Sequence, residues 1–153
     1  IVAKQFQNIG RARFKGFEFS LKSGMIKNND FELHYTWLHD EDRSAHRTSN
    51  HFEYIPKHNL YISDLYTINR YLSVFSSLTL NSKKHYQGTL DDEYMQWGTI
   101  SGFCTVDMKV IGKITRHFTL EVGAKNLFDE DYDEFLNVQG DPFFVKAGLE
   151  LRF

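Results

Sequence analysis

Cysteine is almost absent. Cys104 is the only one in 153 residues, which excludes an internal disulfide and any cysteine-built zinc site. Proline is nearly as scarce, with Pro56 and Pro142 alone. No Pro-, Gly- or Ser-rich stretch marks a linker, so residues 1–153 read as one unit. Neither sign of charge dominates. A formal net charge of −2 and a pI near 6.4 exclude the general basic field expected of a nucleic-acid binder. No repeat of about 20–50 residues points to a solenoid. No apolar run approaches the ~18 residues of a membrane helix, and no signal-peptide pattern opens at Ile1. Catalytic signatures are missing as well. There is no GxSxG, no phosphate-binding glycine-rich loop and no HExxH spacing. The expectation is a protein with no catalytic residue, no resident metal and no cofactor.

What the chain has is aromatics, 16% of it, with 14 Phe and 8 Tyr, and alternation. In the closing run Phe143–Phe153, one parity carries Phe143, Val145, Ala147, Leu149, Leu151 and Phe153. The other carries Lys146, Glu150 and Arg152 around Gly148. Such period-two patterning is that of a strand with one apolar face. It recurs around Phe17–Leu21, Phe31–Trp37, Leu72–Leu80, Cys104–Val110 and Phe118–Ala124. Leu60 and Ile62 begin a further strand whose parity breaks at Ser63-Asp64, where a β-bulge is expected. The connections are unequal. Ser23–Asn29, Ile68–Tyr71 and Gly112–Arg116 are short; Asp40–Ile55, His85–Ser101 and Phe128–Pro142 are long. Short and long alternate, as in an up-and-down meander with its long loops at one end. Tyr35, Trp37, Tyr71, Phe128 and Phe153 fall near strand ends, where membrane barrels place interfacial aromatics.

Alternation alone permits two readings. The apolar face meets lipid around a wet lumen, or it packs inward in a soluble barrel or sandwich. A transmembrane strand has weak mean hydropathy by construction, so the absence of long apolar runs does not decide. Seven strands fall short of roughly eight, the fewest found in membrane barrels.

Five stretches carry a family resemblance. "NIGRARFKGFE" (Asn8–Glu18), "YIPKHNL" (Tyr54–Leu60), "CTVDMKV" (Cys104–Val110), "LEVGAKNLFDEDY" (Leu120–Tyr132) and "GLELRF" (Gly148–Phe153) resemble, in order, elements in the last third of a TonB-dependent outer-membrane receptor barrel. Where that family often has Gly-Arg before the final Gly-Leu, this chain has Phe143-Phe144. The resemblance implies an all-β fold: an antiparallel up-and-down meander of about seven strands, a segment of a transmembrane barrel of about 22 strands. Residues 1–153 would be its carboxy-terminal segment, without the plug domain. It implies location in the outer membrane of a Gram-negative bacterium. The parent protein would take up a scarce nutrient, an iron-siderophore, cobalamin or similar, with energy from TonB. Its partners would be that ligand at the external loops, the TonB complex through the absent amino-terminal part, outer-membrane lipid and the barrel-assembly machinery. Phe153 would belong to the assembly signal. A passive porin-like barrel and a soluble lipocalin-like binding protein are the alternatives.

Among candidate site residues, the long connection His85–Ser101 stands first. Tyr86, Tyr94 and Trp97 offer flat amphipathic faces beside Asp91, Asp92 and Glu93, a mixture suited to stacking plus hydrogen bonding. His39, His46 and His51 share another long connection, but without metal-ligand spacing. The acids Asp129, Glu130, Asp131, Asp133 and Glu134 lack the glycine and spacing of a calcium loop. Solvated loops are the expectation for both groups.

Overall fold

A computed structural model describes residues 10–24, 26–45, 47, 49–89 and 95–152. Seven strands form one antiparallel sheet: β1 (Ala12–Lys22), β2 (Asn29–Asp42), β3 (His58–Asn69), β4 (Leu72–Asn81), β7 (Phe103–Lys113), β8 (Phe118–Lys125) and β11 (Phe144–Leu151). They lie side by side in chain order, so the meander is uninterrupted. Two small hairpins stand outside it. β5 (Lys84–Thr89) pairs with β6 (Met95–Ile100), and β9 (Asp133–Phe135) with β10 (Val138–Gln139).

Turn chemistry sets the short end. Lys27 and Asn28 take φ of 49° and 78°, and Ile26 and Asn29 exchange backbone hydrogen bonds at 2.9 and 3.0 Å. Two positive φ values in a two-residue loop match the right-handed twist of the flanking strands. Between β3 and β4, Asn69 Oδ1 accepts from the N–H groups of Tyr71 and Leu72 at 2.8 and 3.1 Å, a side-chain turn of the kind asparagine favours.

The register builds one continuous apolar face. Directly opposite residues of an antiparallel pair point to the same side. One row runs Leu21, Leu33, Ile62, Leu78 and Val106. Another runs Tyr66, Val74, Val110, Val122 and Ala147. The exposures then choose between the two readings left open by alternation. On β8, Leu120 and Val122 are exposed, whereas Thr119 and Glu121 are half-buried and Gly123 is buried. On β7, Met108 and Val110 are exposed while Thr105, Asp107 and Lys109 are half-buried. The sheet curves with its polar face inside and its apolar face convex, the reverse of a water-soluble barrel. Val145, Leu149 and Leu151 are 60%, 58% and 54% exposed. Ile100 is the one buried apolar residue among those described, and it lies in a hairpin rather than the sheet. Eleven-residue strands such as β1 and β7 are about 36 Å long. Tilted by about 45°, they span the ~25 Å of a membrane barrel's apolar band.

One expectation is corrected. No bulge interrupts Ser63-Asp64: β3 keeps register with β4 from Asn59 to Thr67, and the irregularity falls between Thr67 and Asn69. Asp64 holds its rung between Phe31 and Ser76. The parity break is a change of residue type on the apolar face, not an extra residue in the backbone.

Candidate ligand surface at the long-loop end

The three long connections gather at one end of the sheet and lean over its concave side. Segment 43–57, after β2, is tied down through its aromatic. Phe52 stacks on the inward-facing Phe14 with centroids 5.2 Å apart, and its N–H donates to Asp40 Oδ2 at 2.6 Å. The β5–β6 hairpin leans on this segment. Tyr54 N–H donates to the His85 carbonyl at 2.7 Å, and the His51 and His85 rings stack at 4.3 Å, only 8° from parallel. Asp40 Oδ1 stands 3.6 Å from His51 Nδ1. Burial, reinforced by His51, holds the His85 imidazole below its ordinary pKa.

The connection after β8 is stapled by one asparagine. Asn126 is buried, with φ of 46°. Its Nδ2 donates to the carbonyls of Glu130 and Asp141 at 2.8 and 3.0 Å, and its Oδ1 accepts from Glu130 N–H at 2.9 Å. Asp129 Oδ1 accepts from Phe143 N–H at 2.9 Å, drawing the start of β11 to the end of β8. Tyr132 stacks on the inward-facing Phe103 at 4.1 Å. Gly140 lies so close to that ring that a Cβ there would sit 2.1 Å from it. Burial, with Glu134 close by, raises the Tyr132 hydroxyl above its ordinary pKa.

These two outer elements meet. The Lys84 ammonium donates to the Glu134 carbonyl and stands 5.2 Å from the centre of the Phe135 ring. Tyr54 meets Phe135 edge-on at 5.2 Å. Between the hairpins lies a cleft of about 330 Å³, lined by Tyr86, Ser101, Asp131, Tyr132, Asp133 and Asn137 among others.

The sequence candidates fall differently within this layer. Tyr86 lines the cleft, its ring laid over Gly98, where a Cβ would come within 2.5 Å. Trp97 lies opposite Gln87, and therefore on the other face of the hairpin from Tyr86, which lies opposite Gly98. Tyr94 and Phe153 lie outside the described residues, as do His46, Asp91, Asp92 and Glu93. His39 stacks on Trp37 while His51 stacks on His85, so those two loop histidines do not converge. No group of three or more His, Cys, Asp or Glu among the described residues is placed to hold a metal ion. Sequence reasoning missed Asp131, Asp133 and Asn137 as cleft residues. It read the acid run as a solvated turn and had no signal for the β9–β10 hairpin that aims it.

The family model for the TonB-dependent receptor-like β-barrel matches residues 2–127. This chain belongs to the TonB-dependent receptor β-barrel family. A comparison with curated protein sequences gives no match. Solved receptors share the fold of this TonB-dependent receptor segment. The Pseudomonas aeruginosa ferripyoverdine receptor of the outer membrane, bound to ferripyoverdine, superposes with a TM-score of 0.80 at 17% identity, over 92% of this chain and 19% of its own. The ferric-catecholate import receptor Fiu of E. coli K12 gives 0.81 at 20% identity, over 93% and 21%. The siderophore receptor PiuA of Acinetobacter baumannii gives 0.75 at 16%, over 91% and 22%. The chain thus spans about a fifth of the length of these receptors. The family consists of transport receptors, not enzymes.

Proposed function

We propose that this chain is part of an outer-membrane receptor that captures a scarce nutrient at its long-loop end and imports it with energy from TonB. One observation carries the reading. Three long connections converge into a packed, cleft-bearing layer over the concave polar face of a sheet whose apolar face points outward. The loops fold inward onto the wall, as Phe52 does on Phe14 and Tyr132 on Phe103, and the family match favours a receptor over a passive porin-like barrel. A lipocalin-like protein needs its apolar face inside, and here that face is outside. The fold shared with siderophore receptors favours an iron-siderophore as ligand. In this reading a plug and the segment that meets TonB lie outside residues 1–153, lipid surrounds the convex face, and the barrel-assembly machinery reads Phe153.

Tyr86, Tyr94 and Trp97 are the proposed ligand anchors, because aromatic contacts concentrate binding energy. Tyr86 serves from the cleft side and Trp97 from the opposite face of the same hairpin, so a ligand would contact both of its faces. The test is binding of ferripyoverdine and a ferric catecholate to whole cells carrying the full receptor, normalised to surface protein. Trp97→Ala and a Tyr86→Ala/Tyr94→Ala pair are each expected to weaken binding about five- to thirty-fold, equivalent to about 1–2 kcal/mol. Unchanged affinity in both would move the site off this hairpin.

A further inference from the structure

Tyr132 lines two clefts. One is the cleft between the hairpins; the other, of about 270 Å³, lies against the concave wall of the sheet at Thr79, Phe103 and Thr105. Among the described residues, five carboxylates and one ammonium line the pair. Asp131 and Asp133 stand in the outer cleft, and Asp107, Glu134, Asp141 and Lys125 in the inner one. The whole chain carries only −2, so this excess is local rather than a property of composition. Two of the five acids are answered from within. Asp107 Oδ1 accepts from the Asn126 N–H at 3.0 Å, and Asp141 stands 3.6 Å from the Lys125 ammonium. Asp131, Asp133 and Glu134 are exposed, and none has an ion-pair partner among the described residues.

The ring between the clefts feels the same field. Burial first, then Glu134, Asp141 and Asp107, raise the Tyr132 pKa, while a backbone hydrogen bond at Asp141 opposes them. The chain already draws two of its own cations into this layer. The Lys84 ammonium donates to the Glu134 carbonyl and stands over the Phe135 ring. The Lys125 ammonium, beside Asp141, lies 5.9 Å from the centre of the Phe144 ring. Each is an ammonium held between an oxygen and an aromatic face, a pairing that organic cations favour. The outer cleft has both halves of that pairing. Tyr86 and Tyr132 line it with Asp131 and Asp133, and no Lys, Arg or His among the described residues does.

We propose that the outer cleft takes a positively charged amine or guanidinium group carried by the imported nutrient. The group packs against Tyr86 and Tyr132 and faces Asp131 and Asp133, with Ser101 and Asn137 as neutral hydrogen-bond partners. A metal ion fits less well, since no three ligating side chains among the described residues are placed to hold one. At about 330 Å³ the cleft stands at the small end of ligand pockets. It suits a charged arm rather than a whole iron chelate. Selection comes from sign, because an arm ending in a carboxylate would meet like charge. The proposal rests on the nutrient-capture reading and deepens it by fixing the charge of the part of the ligand that this chain holds.

The test uses the full-length receptor purified in neutral detergent and two iron complexes that differ by one charge. One is a linear ferric trihydroxamate ending in a free ammonium. The other is the same chelate with that amine acetylated. Equilibrium binding of the iron-labelled complexes gives a ratio of affinities. The unaltered receptor is expected to favour the ammonium form about ten-fold, at about three-fold per carboxylate. Asp131→Asn/Asp133→Asn should bring the ratio close to one, and Asp131→Glu/Asp133→Glu should keep most of it. Raising the salt from about 0.05 M to about 0.5 M should shrink the ratio in the unaltered receptor, so salt decides if the asparagine pair does not assemble. A ratio near one in the unaltered receptor, a ratio that the asparagine pair leaves intact, or one indifferent to salt would each overturn the proposal. Ferripyoverdine and a ferric catecholate are measured alongside to tell two failures apart. A receptor that binds either of them but neither trihydroxamate overturns the charged-arm proposal alone. A receptor that binds no ferric chelate overturns the nutrient-capture reading with it.

Discussion

Asn126 is 2% exposed, yet its side-chain amide makes three hydrogen bonds and its backbone N–H a fourth, to Asp107 Oδ1 at 3.0 Å. Its amide mimics a piece of backbone, closing the chain on Glu130 and holding Asp141 beside it. Its φ of 46° lies in a region that asparagine tolerates better than most residues. Asn126→Ala removes three hydrogen bonds and takes the amide partner from the carbonyls of Glu130 and Asp141 and from the Glu130 N–H, a loss of about 2–3 kcal/mol. The left-handed backbone adds about 1 kcal/mol for alanine. Asn126→Gly relieves the second effect alone, so it should recover about 1 kcal/mol of the deficit. Equilibrium unfolding of the receptor in lipid bilayers measures both. An alanine variant within about 0.5 kcal/mol of the unaltered protein would mean that the staple is redundant. The motif "NLFDEDY" was visible in the sequence as a family mark. Its internal division of labour was not, because the partners of Asn126 and Asp129 include Asp141 and Phe143, more than ten residues on.

The seven sheet strands were legible because six carry an unbroken period-two run and β3 opens on one at Leu60 and Ile62 before Asp64 interrupts its apolar face, and the sheet preserves the pattern rung by rung. The hairpins were not. β5 reads Lys84-His85-Tyr86-Gln87-Gly88-Thr89, which has no apolar face to betray a strand. What orders it lies far along the chain: the β9–β10 hairpin on one side and segment 43–57 on the other. Its grip on that segment depends on pH. His85 stacks on His51, with Asp40 beyond His51 and Lys83 adjacent in sequence. Burial and His51 depress the folded pKa of His85, Lys83 lowers it further, and Asp40 opposes them. A histidine depressed on docking binds its proton more readily when undocked. Its contribution is therefore fully present above its undocked value near 6.5 and is lost as pH falls below that, through the lower docked value. The expected outcome is faster hydrogen exchange in β5–β6 at pH 5 than at pH 7.5, after correction for intrinsic rates. The sheet strands should show no such change. His85→Phe, which keeps a ring and has no proton to gain, should flatten the difference. A pH effect that survives in His85→Phe would assign it to another group.

β1 and β11 each have one neighbour in the sheet, so each presents a row of unpaired backbone donors and acceptors. In water such edges invite aggregation. In hydrocarbon every unsatisfied group costs several kcal/mol, so a handful per edge outweighs the ~5–15 kcal/mol that holds a domain folded. Nor does a core compensate, since the apolar face is spent on the convex side. The seven strands are therefore expected to be stable only when both edges are paired by further strands. The last strand adds a directional requirement. Its apolar parity runs through Val145, Ala147, Leu149 and Leu151, and Phe153 continues that parity in the sequence. An aromatic there would anchor at the inner interface, since β11 runs from the long-loop end towards the short turns. Two expectations follow from these edges. Residues 1–153 expressed alone with an export signal should accumulate as periplasmic aggregate, with no heat-modifiable band. In the full-length receptor, deletion of Phe153 should reduce the heat-modifiable fraction in the outer membrane several-fold while total synthesis stays constant. Pulse-labelling followed by membrane fractionation reads both. A monodisperse, detergent-free fragment with slow exchange in β1 and β11 would show that the edges close without outside strands. Equal assembly with and without Phe153 would remove that residue from the signal and leave the alternating strand to carry it.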